Sequence, residues 1–187
     1  KVSESMGRVI GEAAVDLDGE NVRVRETNLG NFVADILKKE SGADAAIVNG
    51  GGLRTSIRKG RVTVGNVYSV LPFNNYIVGI RLTGQQIRDT LEYGVSGIES
   101  KEGRFPQVAG LTFTYSAQRA PGKRVGTIHI AGEPLDPSRR YIVATMDFLA
   151  AGGDGYQVFR EAIRQSPDFE IQGGTIKSGN LVYNDSG

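Results

Sequence analysis

Residues 27–54 read TNLGNFVADILKKESGADAAIVNGGGLR, and this stretch decides the fold class. From Thr27 to Glu40 the apolar residues are Leu29, Phe32, Val33, Ile36 and Leu37. Their spacing is i, i+3, i+4, i+7, i+8, which predicts one buried face of a helix. Thr27 or Asn28 is placed to cap its start, and Gly42 to stop it. Ala45-Ala46-Ile47-Val48 is a short, wholly apolar run, read as a buried strand. It passes directly into Asn49-Gly50-Gly51-Gly52-Leu53-Arg54.

The pattern continues on both sides. Upstream, Val9 and Ile10, then Val22 and Val24, predict a strand or two, broken by a turn at Asp18-Gly19. Downstream, Val62–Val64, Tyr76–Leu82, Leu111–Tyr115, Val125–Ile130 and Tyr141–Met146 read as strands. Thr83 with Gln86 three residues on is a capping-box pattern for a helix through Ile87 and Leu91. Tyr156, Phe159 and Ile163 share one side of a last helix. Several strands with three helices between them predict an α+β fold, a single layered domain of mixed β-sheets over residues 1–187.

Composition narrows the chemistry. Lys+Arg 22 against Asp+Glu 21 leaves a formal charge of +1 over 187 residues. That balance gives no electrostatic case for nucleic acid as a partner. No apolar run approaches the ~20 residues of a membrane helix, so no membrane insertion is expected. With no Cys, disulfides, thiolate metal sites and Cys nucleophiles are excluded. The one His, His129, alternates with Ile128 and Ile130 on a strand and is given no role. Gly is the outlier: 26 of 187 residues is about twice the usual ~7%.

Four segments can carry function. Asn49-Gly50-Gly51-Gly52-Leu53-Arg54 offers an amide, exposed backbone N–H groups and a planar guanidinium. It lacks the Gly-Lys-Ser/Thr ending of a Walker A loop, and it also reads as a tight turn with a surface Arg. In Leu71-Pro72-Phe73-Asn74-Asn75, Phe73 is either a stacking platform for a flat ring or, more commonly for Phe, a core plug. In Asp147-Phe148-Leu149-Ala150-Ala151-Gly152-Gly153-Asp154-Gly155-Tyr156, Phe148 can face a ligand. Asp154 can accept from a pair of sugar hydroxyls, or cap the last helix. Arg23 and Arg25, at i and i+2 on an expected strand, would share one face, near an anion or in solvent beside Glu26.

In chain order, these segments resemble the 5'-nucleotidase family. Glu26-Thr27-Asn28-Leu29-Gly30-Asn31-Phe32-Val33-Ala34-Asp35 is similar to its E-x-N-L-G-N helix. Asn49-Gly50-Gly51-Gly52-Leu53-Arg54 is similar to its N-x-G-G-I-R loop. Leu71-Pro72-Phe73-Asn74-Asn75 and Leu82-Thr83-Gly84 are similar to its L-P-F-x-N and L-T-G segments. Gly103-Arg104-Phe105-Pro106-Gln107-Val108-Ala109-Gly110-Leu111 resembles its G-x-F-x-Q-V-S-G-L strand. Phe148–Tyr156 resembles its F-L-A-x-G-G-D-G turn. Phe32, Pro106 and Ala109 depart from the family's usual residues at what look like packing positions.

The resemblance implies a C-terminal substrate-binding domain of the 5'-nucleotidase type. An N-terminal metallophosphoesterase domain, acting in cis, would hold two divalent metal ions and the catalytic groups. No catalytic residue, metal ligand or cofactor is expected in this chain, and one His fits that expectation. The substrate would be a nucleoside monophosphate or a related nucleotide. Cyclic nucleotides, nucleotide-sugars and dinucleotides share the same base contacts and are not separated by these residues. Phe73 and Phe148 would sandwich the base, and Asp154 would hold the ribose hydroxyls. Asn49 would bond the base, with Gly51 allowing close approach. Arg54, with Arg23 or its neighbour Arg25, would face ribose and phosphate. Family members rotate this domain toward the metals, with the hinge expected at or before Lys1. Secreted, periplasmic or wall-attached bacterial relatives imply an extracytoplasmic location. The alternative is a stand-alone nucleoside-binding or structural module.

Overall fold

The computed structural model describes residues 5–186. The hinge expected at or before Lys1 lies outside the described residues. Helix α1 spans Asn28–Ser41 and strand β2 spans Ala45–Asn49. Thr27 is the N-cap: its hydroxyl accepts from Gly30 N at 3.0 Å. Gly42 ends α1 at φ +64, as the sequence predicts. The buried face of α1 is narrower than its apolar spacing suggests. Leu29, Val33 and Leu37 are buried with Gly30 and Ala34, whereas Phe32 and Ile36 point outward. At Gly30 the helix rests directly on Gln107, where a Cβ would come within 2.0 Å of its side chain.

The main sheet has five strands in the order β12-β4-β9-β2-β5. These are Leu181–Asn184, Ile77–Thr83, Arg140–Met146, Ala45–Asn49 and Pro106–Ala109. Strands β2 and β9 are parallel; the other neighbours are antiparallel, so the sheet is mixed. Every residue of β2 is buried. On one face, Ala46, Val48, Ala144 and Met146 pack under α1. On the other, Ile47, Ile80, Leu82 and Val143 meet helix α3, Gly84–Val95, through Ile87, Leu91 and Val95. Helix α4, Asp147–Ala150, and helix α5, Gln157–Arg164, complete that layer with Leu149, Phe159 and Ile163. The capping box at Thr83 is present as read: Gln86 N donates to Thr83 Oγ1 at 3.2 Å, and Thr83 N to Gln86 Oε1 at 2.9 Å.

Three smaller sheets flank this body. Strands β1 (Val9–Ala13) and β3 (Gly60–Thr63) pair antiparallel. Strands β6 (Leu111–Tyr115), β7 (Val125–Ile130) and β8 (Glu133–Pro134) form a meander. Strands β10 (Glu170–Gln172) and β11 (Thr175–Lys177) form an exposed hairpin. Helix α4, strand β8 and the β10–β11 hairpin were absent from the sequence reading, as were two further elements. Helix α2, Val64–Val70, starts on a Thr63–Asn66 capping box. Strand β12 closes the sheet edge beside β4. One expectation is corrected: Val22 and Val24 lie in a turn, not a strand. Val24 N and Arg25 N both donate to Asn21 O, at 3.0 and 3.1 Å. Pro106 and Ala109 are packing positions as expected, but Phe32 is 53% exposed.

The α1 face gives a direct test. Leu37→Ala should lower the unfolding free energy by about 2–5 kcal/mol, the usual loss for a buried Leu. Ile36→Ala, on the solvent side, should change it by less than about 0.5 kcal/mol. Urea denaturation followed by circular dichroism separates the two; equal losses would refute the assigned face.

Candidate functional site

Four adjacent strands present loops at one edge of the main sheet. β2 and β9 are parallel, so the loops after them, Asn49–Arg54 and Asp147–Gly155, leave at the same end. β4 and β5 run the other way, so the loops before them arrive there, carrying Phe73 and Gly103. The carboxyl ends of parallel strands are where open α/β sheets bind ligands. Here that edge holds a cavity of about 320 Å³. Arg23, Asn49, Gly51, Arg54, Phe73, Phe148 and Asp154 all line it, with Gly52, Asn75 and Gly103. The residues read from sequence as site candidates are therefore brought together, Arg25 excepted.

Both phenylalanines face outward. Phe73 is 54% exposed and Phe148 45%, so the core-plug reading of Phe73 fails. The loops that carry them are tied together. Asp147 N donates to Tyr76 O at 3.0 Å, and Tyr76 N donates to Asp147 Oδ1 at 3.2 Å. Asn75 Nδ2 reaches Met146 Sδ at 3.6 Å. A side chain at Gly153 would run into the Phe148 ring at 2.6 Å, so that ring lies flat on the glycine turn.

Asp154 stands in that turn at φ 50, ψ 18. Asn49 Nδ2 donates to its Oδ2 at 2.6 Å, across the two loops. Asp154 does not cap α5: the N-cap there is Tyr156, and no side chain caps it. Asn49 is buried, so the bond orients an exposed carboxylate from a fixed base. Gly51 N donates to Gly103 O at 2.7 Å, which closes the cavity wall between loops distant in sequence. Arg54 Nη1 donates to Gly51 O at 3.2 Å and the residue is otherwise exposed.

Arg23 and Arg25 do not share a face. The turn sends Arg23 to the cavity and Arg25 away, to Asp18 at 3.0 Å. Gln107, fully buried, grips this turn: its Nε2 donates to Val22 O and Arg25 O at 2.9 and 2.8 Å. Gly52, Asn75 and Gly103 were not assigned a role from sequence. All three lie inside segments that the motifs single out, but no spacing rule shows which loop residues meet across a sheet edge. Larger hollows, of about 480 and 620 Å³, lie along the β10–β11 hairpin. They hold none of the residues that line the smaller cavity. Convergence of polar and aromatic groups, not volume, marks the smaller cavity as the candidate.

The chain matches the family model for the 5'-nucleotidase C-terminal domain over residues 9–161. The chain belongs to that family. It is 46% identical over 189 aligned residues to the trifunctional nucleotide phosphoesterase protein YfkN of Bacillus subtilis, covering 92% of this chain and 13% of that protein. It is 36% identical to protein UshA of Escherichia coli, covering 83% of this chain and 26% of that protein. In structure it is similar to the 5'-nucleotidase precursor of Thermus thermophilus, with a TM-score of 0.83 and 40% identity. That match covers 96% of this chain and 35% of the other. The chain thus spans only 13% and 26% of the two curated relatives. The family's C-terminal domains carry the mixed α/β fold seen here.

Asp18 offers a pH test of the Arg23 turn. Its carboxylate accepts from Asn21 Nδ2 at 2.8 Å and from the backbone N of Glu20 and Asn21 at 2.9 and 3.1 Å. The Asn21 side-chain bond above all, with the backbone bonds and the Arg25 charge, holds this carboxyl below the usual range, although burial opposes them more strongly than any one of the lesser contributions helps. A depressed folded value stabilises the turn above the ordinary carboxylate pKa of about 3.9 and is lost as pH falls through the depressed value. Amide signals of Glu20 and Asn21 should hold constant from about pH 8 to 5 and shift below about pH 4. In Asp18→Asn that acid shift should vanish; its persistence would assign it to another carboxylate.

Proposed function

We propose that this chain recognises the base and ribose of a nucleotide for a metal-dependent 5'-nucleotidase that releases nucleoside and phosphate. One observation carries the reading: two exposed phenylalanines and an anchored aspartate share one cavity with two guanidiniums. Exposed aromatic faces on a polar loop edge suit a flat heteroaromatic ring. A carboxylate can accept from two adjacent sugar hydroxyls at once. Phe73 and Phe148 take the base. Asp154 takes the ribose. Arg54 and Arg23 face the phosphate side, where planar guanidiniums suit phosphate oxygens. Asn49 keeps one N–H and its carbonyl oxygen for the base beyond its bond to Asp154. Residues 1–187 act as one C-terminal domain.

The metals belong elsewhere. Among the described residues no group of three or more His, Asp or Glu is arranged to hold a metal ion. The cavity's donors do not fit a dication either: one carboxylate and an amide stand beside two guanidiniums. No bond-breaking step is assigned to these residues. An N-terminal metallophosphoesterase domain in cis supplies two divalent ions, and this domain supplies positioning. The much greater length of the relatives supports such a partner. A bacterial source and an extracytoplasmic location belong to the same reading. Among the described residues no helix is long and apolar enough to cross a membrane. The second reading, a nucleoside-binding module with no hydrolase partner, uses the same site.

Stacking on an aromatic is worth ~1–3 kcal/mol per base. Two rings and one carboxylate should leave about 4 kcal/mol after association costs, which is millimolar affinity. An NMR titration of the chain with adenosine should shift signals at Phe73, Phe148 and Asp154. AMP should bind at most about tenfold tighter, since exposed guanidiniums are screened by water and salt. Phe148→Ala should weaken adenosine by roughly tenfold or more. Unchanged adenosine binding in that variant would overturn the reading.

A further inference from the structure

We infer that Tyr93 and Arg104, which lie outside the cavity, position Asp154 for the ribose. The inference rests on Asp154 being the ribose-holding carboxylate. Tyr93 is half-buried in the last turn of α3. Its hydroxyl donates to the backbone carbonyl of Asp154 at 2.7 Å. The same oxygen accepts from Arg104 Nη1 at 3.0 Å. A phenol has one proton, and a guanidinium only donates. The Arg104 contact therefore leaves that proton for Asp154, and the direction of the bond is set.

Arg104 is held in turn. Its guanidinium carbon lies 4.7 Å from the centre of the Tyr93 ring, a cation–π distance. Its Nη2 pairs with Glu102 at 3.1 Å. Its backbone carbonyl accepts from the buried Tyr156 hydroxyl. Tyr156 meets the Tyr93 ring edge-on, 5.2 Å between centres and 78° between planes. Helix α3, the loop before β5 and the Gly-Asp-Gly turn are thus locked through three side chains.

The lock acts where Asp154 needs it. A residue with a Cβ is disfavoured at positive φ, and Asp154 sits at φ 50. Its carboxylate is anchored by Asn49 and its carbonyl by Tyr93, so both ends of the residue are fixed. The next residue shows how tight the fit is. A Cβ at Gly155 would come within 1.9 Å of the Tyr93 hydroxyl. Without the Tyr93 bond the Asp154 carbonyl loses its anchor, the strained backbone can relax, and the carboxylate swings with it. Tyr93 and Arg104 do not line the cavity, so they work through Asp154 and leave the base alone.

Comparing adenosine with 2',3'-dideoxyadenosine isolates the sugar contact. The chain as it stands should prefer adenosine by about fivefold or more, from two hydroxyls on one carboxylate. In Tyr93→Phe the preference should fall below about twofold, with dideoxyadenosine affinity unchanged. The ring stays, so packing against Tyr156 is retained, and near-ultraviolet circular dichroism checks the fold. Arg104→Gln should give a partial loss and serves as the readout if Tyr93→Phe does not fold. A full preference retained in Tyr93→Phe overturns the inference. So does an equal loss for both ligands, because Tyr93 would then serve the whole site. No preference in the unaltered chain sinks the ribose reading itself, while stacking by Phe73 and Phe148 would still be seen in dideoxyadenosine binding.

Discussion

The parallel pairing of β2 with β9 is the constraint on which the site depends. Parallel strands leave the sheet at the same end, so their outgoing loops are neighbours without any further device. One loop brings the glycine run with Asn49 and Arg54; the other brings Phe148 and Asp154. Antiparallel partners on each flank then return Phe73 and Gly103 to the same edge. Parallel pairs need both faces covered, and here they are. Helix α1 covers one side and α3, α4 and α5 the other. The alanines of β2 and β9 on the α1 side keep that layer thin. A larger residue at Ala46 or Ala144 would push α1 outward and overpack the core.

Given that frame, short polar ties hold the site in shape. The Asn49–Asp154 bond crosses between the two outgoing loops. The Tyr76–Asp147 pair joins the two phenylalanine loops. Gln107 holds the Arg23 turn from beneath. Each of these ties uses a backbone group at one end or a buried side chain at the other. That limits the freedom lost on binding, because the loops are already ordered. The two phenylalanine rings carry no such tie: both are exposed, and Phe148 rests on the Gly153 turn.

Much of this was legible in the sequence, for reasons that differ by element. Local signals were reliable where one rule governs. The Thr83–Gln86 capping box and the alternation through Ile128 and Ile130 depend only on neighbours along the chain. The α1 stripe was partly misread because periodicity marks apolar residues, not the sheet's reach. Phe32 and Ile36 satisfy the period yet face water. Arg23 and Arg25 were set on one face because a strand was assumed; the turn at Asn21 separates them. The identities of the cavity residues came from motifs, but their meeting is a property of strand order. Tyr93 and Arg104 were invisible for the same reason. A tyrosine at a helix end carries no sign that a turn far along the chain will rest on its hydroxyl.

Charge placement adds a last step to the proposed reading. The cavity sets one carboxylate, Asp154, against two guanidiniums, Arg23 and Arg54. A nucleotide is itself polarised, with hydroxyl donors along the ribose and an anion at its phosphate. Entering one way round, it offers donors to Asp154 and the anion to the arginines. Entering the other way, it sets phosphate against carboxylate. At ~4 Å and an effective dielectric near 20, such a like-charge contact is unfavourable by about 4 kcal/mol before screening. That is as large as the whole binding energy expected from two rings and one carboxylate. On the proposed reading the charges would add little affinity but set orientation, and orientation is what a domain positioning a nucleotide for a metal site elsewhere would need.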